Sequence, residues 1–118
     1  MEHIKHSEMV KALAKPGKDI VATLSPEGAH LLHMAVGVSG ESGELLDTIK
    51  KAVVYNKPLD SENVIEELGD LEFYMEGLRQ ALGITREETL NANIAKLEVR
   101  YSSGSYSDAQ AQDRADKS

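Results

Sequence analysis

Two long segments of the sequence carry apolar residues at alternating steps of three and four, which is the period of one face of an α-helix. The first covers about 26–55. The tripeptide Ser-Pro-Glu at 25–27 is a typical start for it, with a serine cap and a proline in the first turn. The second covers about 61–82, with Asp60 or Ser61 as its N-cap, and is followed by Gly83, which suits a C-cap. This pattern predicts that the chain folds around two long packed helices.

Shorter helices are expected on either side of this pair. A first helix is predicted over 3–14, ended by the Pro-Gly pair at 16–17. Residues 18–24 are ambiguous and are treated as a connector. Thr85-x-x-Glu88 is a capping box that begins a last helix extending to Tyr101. We therefore predict an all-α fold, a four-helix bundle in which the two long central helices carry the acidic motifs described next.

Each long helix contains a pair of carboxylates three residues apart, Glu41 with Glu44 and Glu67 with Asp70. Residues at i and i+3 share one face of a helix, with Cβ atoms about 5–6 Å apart. If the two helices pack side by side, four anions converge and repel one another unless a cation lies among them. Oxygen-preferring divalent cations, Mg²⁺ above all, fit such a site, and phosphate groups are their natural partners.

A glycine precedes the second acid of each pair, at Gly43 and Gly69. Glycine inside a helix costs about 1 kcal/mol relative to alanine. Two glycines at matching positions therefore predict that the backbones of the two helices approach closely at the acids.

The pattern Glu41-x-x-Glu44, a spacer and Glu67-x-x-Asp70 resembles the signature of the all-α nucleoside triphosphate pyrophosphohydrolases, the MazG-like group. The surrounding segments GVSGESGELLDTIKKAV, EELGDLEFYMEGL and NANIAKLEVRY are similar to that family too. The resemblance covers about residues 28–102. It suggests a MazG-like domain over 1–101. Residues 102–118 are rich in Ser, Gly, Asp and Ala, and we expect them to form a flexible C-terminal tail or a flap.

This resemblance implies a MazG-like bundle that hydrolyses nucleoside or deoxynucleoside triphosphates to a monophosphate and pyrophosphate. It implies Mg²⁺ as the cofactor, with Mn²⁺ as an alternative, and a role in nucleotide-pool housecleaning. The metal ligands it implies are the four acids, Glu41, Glu44, Glu67 and Asp70. Glu41 and Glu44 are the candidate catalytic residues, and Glu41 is the preferred general base.

The resemblance also implies a homodimer or a dimer of dimers, with the active site near the interface. Apolar residues outside the acid-bearing face are the candidates for that interface: Leu32, Leu46, Val53 and Phe73.

Further residues are candidates for holding the substrate. Asn91, Lys96 and Arg100 are similar to a pattern in the family's last helix, where basic side chains contact phosphate. Tyr74 lies one turn after Asp70 and is a candidate for contacting the nucleoside.

His30 and His33 lie 11 residues before the acids Glu41 and Glu44. They therefore point the same way at about 16 Å, which suits base recognition. As a polar patch at a packing edge, they need no such role. Lys50, Lys51 and Lys57 are interpreted as solvated.

Composition narrows the function classes. The net charge of −7 argues against a general nucleic-acid or anionic-membrane surface. The absence of cysteine excludes disulfides and thiol chemistry. The longest apolar run, 31–38, is interrupted by His33 and is too short to span a bilayer. We expect a soluble, cytoplasmic protein whose partner is a nucleoside triphosphate, with no nucleic acid or membrane involved.

Three alternatives remain open at this level. A di-iron site in a helical bundle would require Glu-x-x-His motifs, whereas here the second position is Glu44 or Asp70. A non-catalytic nucleotide sensor could retain the same metal site. Phosphoribosyl-ATP pyrophosphohydrolase belongs to the same superfamily and shares its acidic motifs.

Overall fold

The computed structural model describes residues 5–117, and over this range the chain is helical with no β-strand. The predicted all-α class is therefore confirmed. Six α-helices and one short 3-10 helix follow one another in this order: α1 His6–Leu13, α2 Gly17–Thr23, α3 Pro26–Val54, α4 Ser61–Leu82, α5 Arg86–Arg100, α6 Asp108–Asp113 and the 3-10 helix Ala115–Lys117.

The ends of the three main helices are set by the predicted capping residues. Ser25 accepts a hydrogen bond from the Gly28 N–H at the start of α3, and Asp60 accepts one from Asn63 at the start of α4. Thr85 caps α5 in the same way. Each side chain satisfies a backbone donor that has no partner inside its helix.

The end of α4 is set by Gly83, which has a left-handed backbone conformation with φ 68° and terminates the helix as its C-cap.

The connector predicted over 18–24 is wrong, because Gly17–Thr23 forms α2. Pro16 supplies the extended residue before its first turn, so the Pro-Gly pair that ends α1 also starts the next helix. The predicted first helix is observed as α1, and its expected residues 3 and 4 lie outside the described range.

The long helices α3 and α4 pack together as an antiparallel pair and form the main contact between elements of the chain. Their closest approach uses two glycines. The ring of Tyr74 on α4 occupies the space where Gly37 on α3 lacks a side chain, and Met34 on α3 similarly fills the gap at Gly77 on α4. These reciprocal contacts fix the position of one helix along the other, because a Cβ atom at either glycine would overlap the facing side chain.

The close approach predicted at Gly43 and Gly69 is wrong. A Cβ atom at either position would meet nothing within 4 Å. Both glycines are exposed, and the two helices make their tightest contact further along, at Gly37 and Gly77. Gly37 and Gly77 each directly precede an apolar residue, Val38 or Leu78, and that position was the available sequence signal.

The C-terminal segment packs on α5. The guanidinium of Arg100 donates two hydrogen bonds to Asp116, at 2.8 and 3.3 Å. The side chains of both residues are largely buried, with 17% and 5% of their surface exposed. Residues 102–117, predicted as a tail, thus include α6 and a 3-10 helix that is anchored to the end of α5.

The molecule is open in shape. Its radius of gyration is 20.3 Å, whereas a compact domain of this length has about 13 Å. Within residues 5–117, Met34 is the single buried apolar side chain, and many large apolar residues on α3, α4 and α5 are exposed. No helix in this range has the length and hydrophobicity needed to cross a membrane.

Candidate metal centre

The α3–α4 pair brings together acids from both motifs. Glu41 comes from the middle of α3, and Glu67 and Asp70 lie on the facing part of α4. One carboxylate oxygen from each of the three lies within 4.8 Å of the others. The antiparallel packing explains this meeting, because Asp70 lies one turn from Tyr74 on α4 and Glu41 lies one turn from Gly37 on α3.

Two oxygens of this cluster are buried without a partner. Glu67 has 7% of its surface exposed, and Glu41 is half-buried. The Oε2 atoms of both residues have no hydrogen-bond donor. A buried carboxylate oxygen without a donor costs free energy, so the arrangement favours a bound proton or a bound cation.

Glu44, the fourth predicted ligand, adds a further negative charge beside the three clustered carboxylates. The neighbouring carboxylates and burial raise the pKa of Glu67 from 4.5 to about 7, with Glu41 as the largest cause, burial next, and Glu44 as a further negative charge. Only a protonated Glu67 can donate a hydrogen bond to these neighbours. The neighbouring carboxylates therefore oppose ionisation of Glu67.

The donor set suits a hard divalent cation. All of the grouped ligands are carboxylate oxygens, which Mg²⁺ and Mn²⁺ prefer, and no histidine joins the cluster within residues 5–117. A di-iron centre of the Glu-x-x-His type therefore lacks its nitrogen ligands. Glu41, Glu67 and Asp70 would hold the cation, and Glu44 lies next to them.

A polar groove extends from the acids toward the turn between α3 and α4. It has a volume of about 390 Å³. Eight residues line it: Gly40, Gly43, Glu44, Asp47, Thr48, Lys51, Asn63 and Glu67. Thr48 donates to the backbone carbonyl of Glu44 at 3.1 Å, and the amide of Asn63 donates to Thr48, so hydrogen bonds connect the α4 wall of the groove to the backbone of α3.

The opposite side of the acids is aromatic. The Tyr74 ring packs edge-on against His33 at 6.3 Å and against Phe73 at 5.1 Å between ring centroids. His30 lies one turn further and lines a cavity with Met34. The three predicted nucleoside-contacting residues, Tyr74, His30 and His33, thus lie on one side of the carboxylates.

The predicted phosphate ligands lie on α5, whose main contacts are with α6 and the 3-10 helix. Asn91 and Lys96 are exposed, and in the described part of the chain their side chains form no hydrogen bond or ion pair. Arg100 is paired with Asp116. The structure of a single chain therefore brings the acids together without bringing these three residues beside them.

Sequence reasoning missed the polar residues of the groove. Asn63 lies one turn before Glu67, and Thr48 lies one turn after Glu44, so a search one turn beyond each acid would have found both. Lys51 was interpreted as solvated, and its side chain is indeed 66% exposed, but it also lines the groove together with Glu44.

Comparison with known proteins gives one family. The model of the MazG nucleotide pyrophosphohydrolase domain matches residues 30–104, a range that contains all four acids. No curated protein and no solved structure matches the chain significantly.

Proposed function

The chain belongs to the family of MazG nucleotide pyrophosphohydrolase domains, and on this basis we propose that it hydrolyses nucleoside or deoxynucleoside triphosphates in a Mg²⁺-dependent reaction. Mn²⁺ is the alternative cofactor. The products are a nucleoside monophosphate and pyrophosphate. The observation that supports this proposal best is the cluster of Glu41, Glu67 and Asp70, with two buried oxygens that lack a donor.

The reaction requires a water molecule to attack the α-phosphorus. A bond forms between the water oxygen and this phosphorus, and the bond to the bridging oxygen of pyrophosphate breaks, with its electron pair leaving on the pyrophosphate. A divalent cation held by the carboxylates would neutralise phosphate charge and lower the pKa of a bound water. Glu41 is the proposed general base, accepting the proton of the attacking water on the carboxylate oxygen that the cation does not occupy. Glu44 is the second proposed catalytic carboxylate.

We place the nucleoside on the aromatic side of the acids. Tyr74 offers a half-buried ring and a hydroxyl group, and His33 is held against it. A flat base can stack on such rings while the histidine nitrogens read its polar edge. His30 is the outermost candidate on this side.

A second copy of the chain is part of the proposal. The four apolar residues predicted for an interface, Leu32, Leu46, Val53 and Phe73, are all more than half exposed. A monomer would leave them in water, so we propose a homodimer, or a dimer of dimers, that covers them. Because α5 packs away from the acids of its own chain, Asn91 and Lys96 are proposed to serve phosphate in this assembly. Arg100 can join them only by leaving Asp116.

The proposal is tested by pyrophosphate release. A panel of ribo- and deoxyribonucleoside triphosphates, including non-standard bases that a housecleaning role predicts as preferred substrates, is measured with Mg²⁺, with Mn²⁺ and with EDTA. Glu41→Gln serves as the inactive variant, and Glu66→Gln, an exposed acid on α4, serves as its control. We expect metal-dependent release of pyrophosphate that is lost in Glu41→Gln and retained in Glu66→Gln.

Two outcomes would redirect the proposal. Nucleotide binding without turnover on any member of the panel would identify a sensor module instead. Turnover confined to phosphoribosyl-ATP would identify the related pyrophosphohydrolase of that substrate.

A further inference from the structure

The residues that line the polar groove on the α3–α4 pair differ in charge from one end of the groove to the other. Next to the metal centre it is lined by Glu44 and Glu67, and further on by Thr48, Asn63 and Lys51. A second cavity of about 350 Å³ shares these last three residues and continues to Lys57 and Asp60 in the turn. The two cavities therefore form one continuous groove that begins at the carboxylates and ends among lysines.

Lys51 lines this groove two helical turns away from the acid Glu44. It follows Glu44 by seven residues, which is two helical turns and about 10 Å along the same face of α3. Its ammonium group is paired with Asp47 at 2.8 Å, and this pair is exposed to solvent. An exposed pair of this kind is worth little, so a more highly charged anion can replace Asp47 at small cost.

The groove and the aromatic side lie in opposite directions from the carboxylates. On α4, Tyr74 follows Asp70 by one turn, whereas Asn63 precedes Glu67 by one turn. A nucleotide bound at the acids thus meets rings on one side and amide, hydroxyl and ammonium groups on the other.

Resting on the proposed function, we propose that this groove receives the outer phosphates of the substrate and that Lys51 is the residue that binds them. The substrate then has one direction in the site, with its base toward Tyr74 and its leaving pyrophosphate toward Lys51. Asn63, held by Thr48 at the midpoint of the groove, is placed to donate its second amide hydrogen to a phosphate oxygen.

A polyphosphate can bind in the groove only when the cation is also bound. The groove is lined by four carboxylates and only two ammonium groups, so a bare polyphosphate is repelled. The carboxylates belong to Glu44, Asp47, Asp60 and Glu67, and the ammonium groups to Lys51 and Lys57. Once the acids are neutralised by a divalent cation, Lys51 becomes the first positive group that the outer phosphates meet. The proposal therefore predicts polyphosphate binding that depends on both the metal and Lys51.

The test is calorimetric binding of inorganic tripolyphosphate to the full chain, with Mg²⁺ and with EDTA. Lys51→Ala is compared with Lys50→Ala, which removes the same charge from the neighbouring exposed position outside the groove. We expect Mg²⁺-dependent binding that weakens at least about tenfold in Lys51→Ala, in line with the loss of a charge-assisted contact. Lys50→Ala is expected to bind like the wild type, and Asp47→Asn to bind more tightly.

Enzyme kinetics independently test the direction in which the substrate lies in the site. In Lys51→Ala, KM for a triphosphate is expected to rise about tenfold, while inhibition by the nucleoside monophosphate product is unchanged. An equal loss of affinity for the triphosphate and for the monophosphate would overturn the assigned direction of the substrate. Equal tripolyphosphate binding by Lys51→Ala and Lys50→Ala, or no binding by the wild type with Mg²⁺, would overturn the groove assignment.

Failure of this inference is distinguishable from failure of the proposed function. Tripolyphosphate binding that depends on Lys51, in a protein that releases no pyrophosphate from any nucleotide, would reject the enzyme and support the groove. Turnover with an unchanged KM in Lys51→Ala would support the enzyme and reject the groove.

Discussion

Among individual residues, Glu67 connects the chemistry of the site to the stability of the fold. It is buried in the α3–α4 interface among other carboxylates, and its pKa is raised from 4.5 to about 7. The folded chain therefore binds a proton at this residue more readily than the unfolded chain does. The stabilisation this gives is fully present below about pH 4.5 and is lost as the pH rises through about 7.

We accordingly expect the melting temperature of the metal-free protein to fall as the pH is raised from about 5 to 8. In Glu67→Gln, whose amide is neutral throughout, this fall should be much smaller. Melting curves in EDTA across this range measure the effect, with Glu66→Gln as the matched control. Parallel pH profiles for wild type and Glu67→Gln would contradict the assignment.

Cation binding should show the opposite pH dependence. The cation needs the ionised form of Glu67, so Mg²⁺ or Mn²⁺ affinity should rise between about pH 6 and 8, with release of a proton. Titration calorimetry in two buffers of different ionisation enthalpy measures the proton directly. A pH-independent affinity without proton release would show that Glu67 is not a ligand.

Gly37 is the residue at which a single methyl group should matter most. A Cβ atom there would overlap the ring of Tyr74. We expect Gly37→Ala to lower the free energy of unfolding by about 1–3 kcal/mol, the usual cost of overpacking. Gly69→Ala has open space around the added atom and should be neutral or stabilising by up to about 1 kcal/mol. Urea denaturation compares the two variants, and equal effects would refute the packing argument.

Among the elements, the three main helices follow from the sequence and their spatial arrangement follows only in part. Ser25, Asp60 and Thr85 are capping residues that act within one turn, so local sequence was enough to place the starts of α3, α4 and α5. The acid pairs were predictable for the same reason, because i and i+3 share a face in any helix. The position of closest helix contact depends on which side chains of α3 and α4 face each other across the interface. The periodicity of each helix taken alone does not contain that information.

The C-terminal elements offer a test of one long-range contact. Asp116 joins the 3-10 helix to Arg100 on α5, and this pairing holds the pKa of Asp116 below its usual value. We expect Asp116→Asn to increase amide hydrogen exchange over residues 108–117 while α3 and α4 are unaffected. Asp113→Asn, an exposed position at the end of α6, is the control. Unchanged exchange in Asp116→Asn would show that other contacts hold this segment.

For the whole molecule, the open shape and the exposed apolar residues determine the expected assembly. Within the described range Met34 is the only buried apolar residue, a core far smaller than a stable domain of 118 residues normally has. Sequence reasoning predicted apolar residues outside the acid-bearing face, and the structure leaves all four of them exposed. It could not predict how α5 is oriented relative to the helix pair, because that depends on contacts between residues far apart in the sequence.

We expect sedimentation analysis to give a mass of at least twice 12.9 kDa for the wild type at micromolar concentration. Leu46→Lys places a charge in the exposed apolar surface and should shift the protein toward monomer, with a lower melting temperature. Gln112→Lys adds the same charge at an exposed position on α6 and should retain the wild-type mass. A monomeric wild type would reject the assembly.

The glycine gaps that hold Tyr74 and Met34 also bear on how such sequences can diverge. Since these contacts set the position of α3 along α4, linker residues 55–59, which precede the α4 cap Asp60, are not needed to align the two helices. Inserted residues there would add only loop-closure entropy, about 0.6 kcal/mol for each doubling of length. The number of residues between the two acidic motifs is thus free to vary among chains that keep the same site. A glycine one turn before the first motif and an aromatic residue one turn after the second are the better markers of this helix pairing.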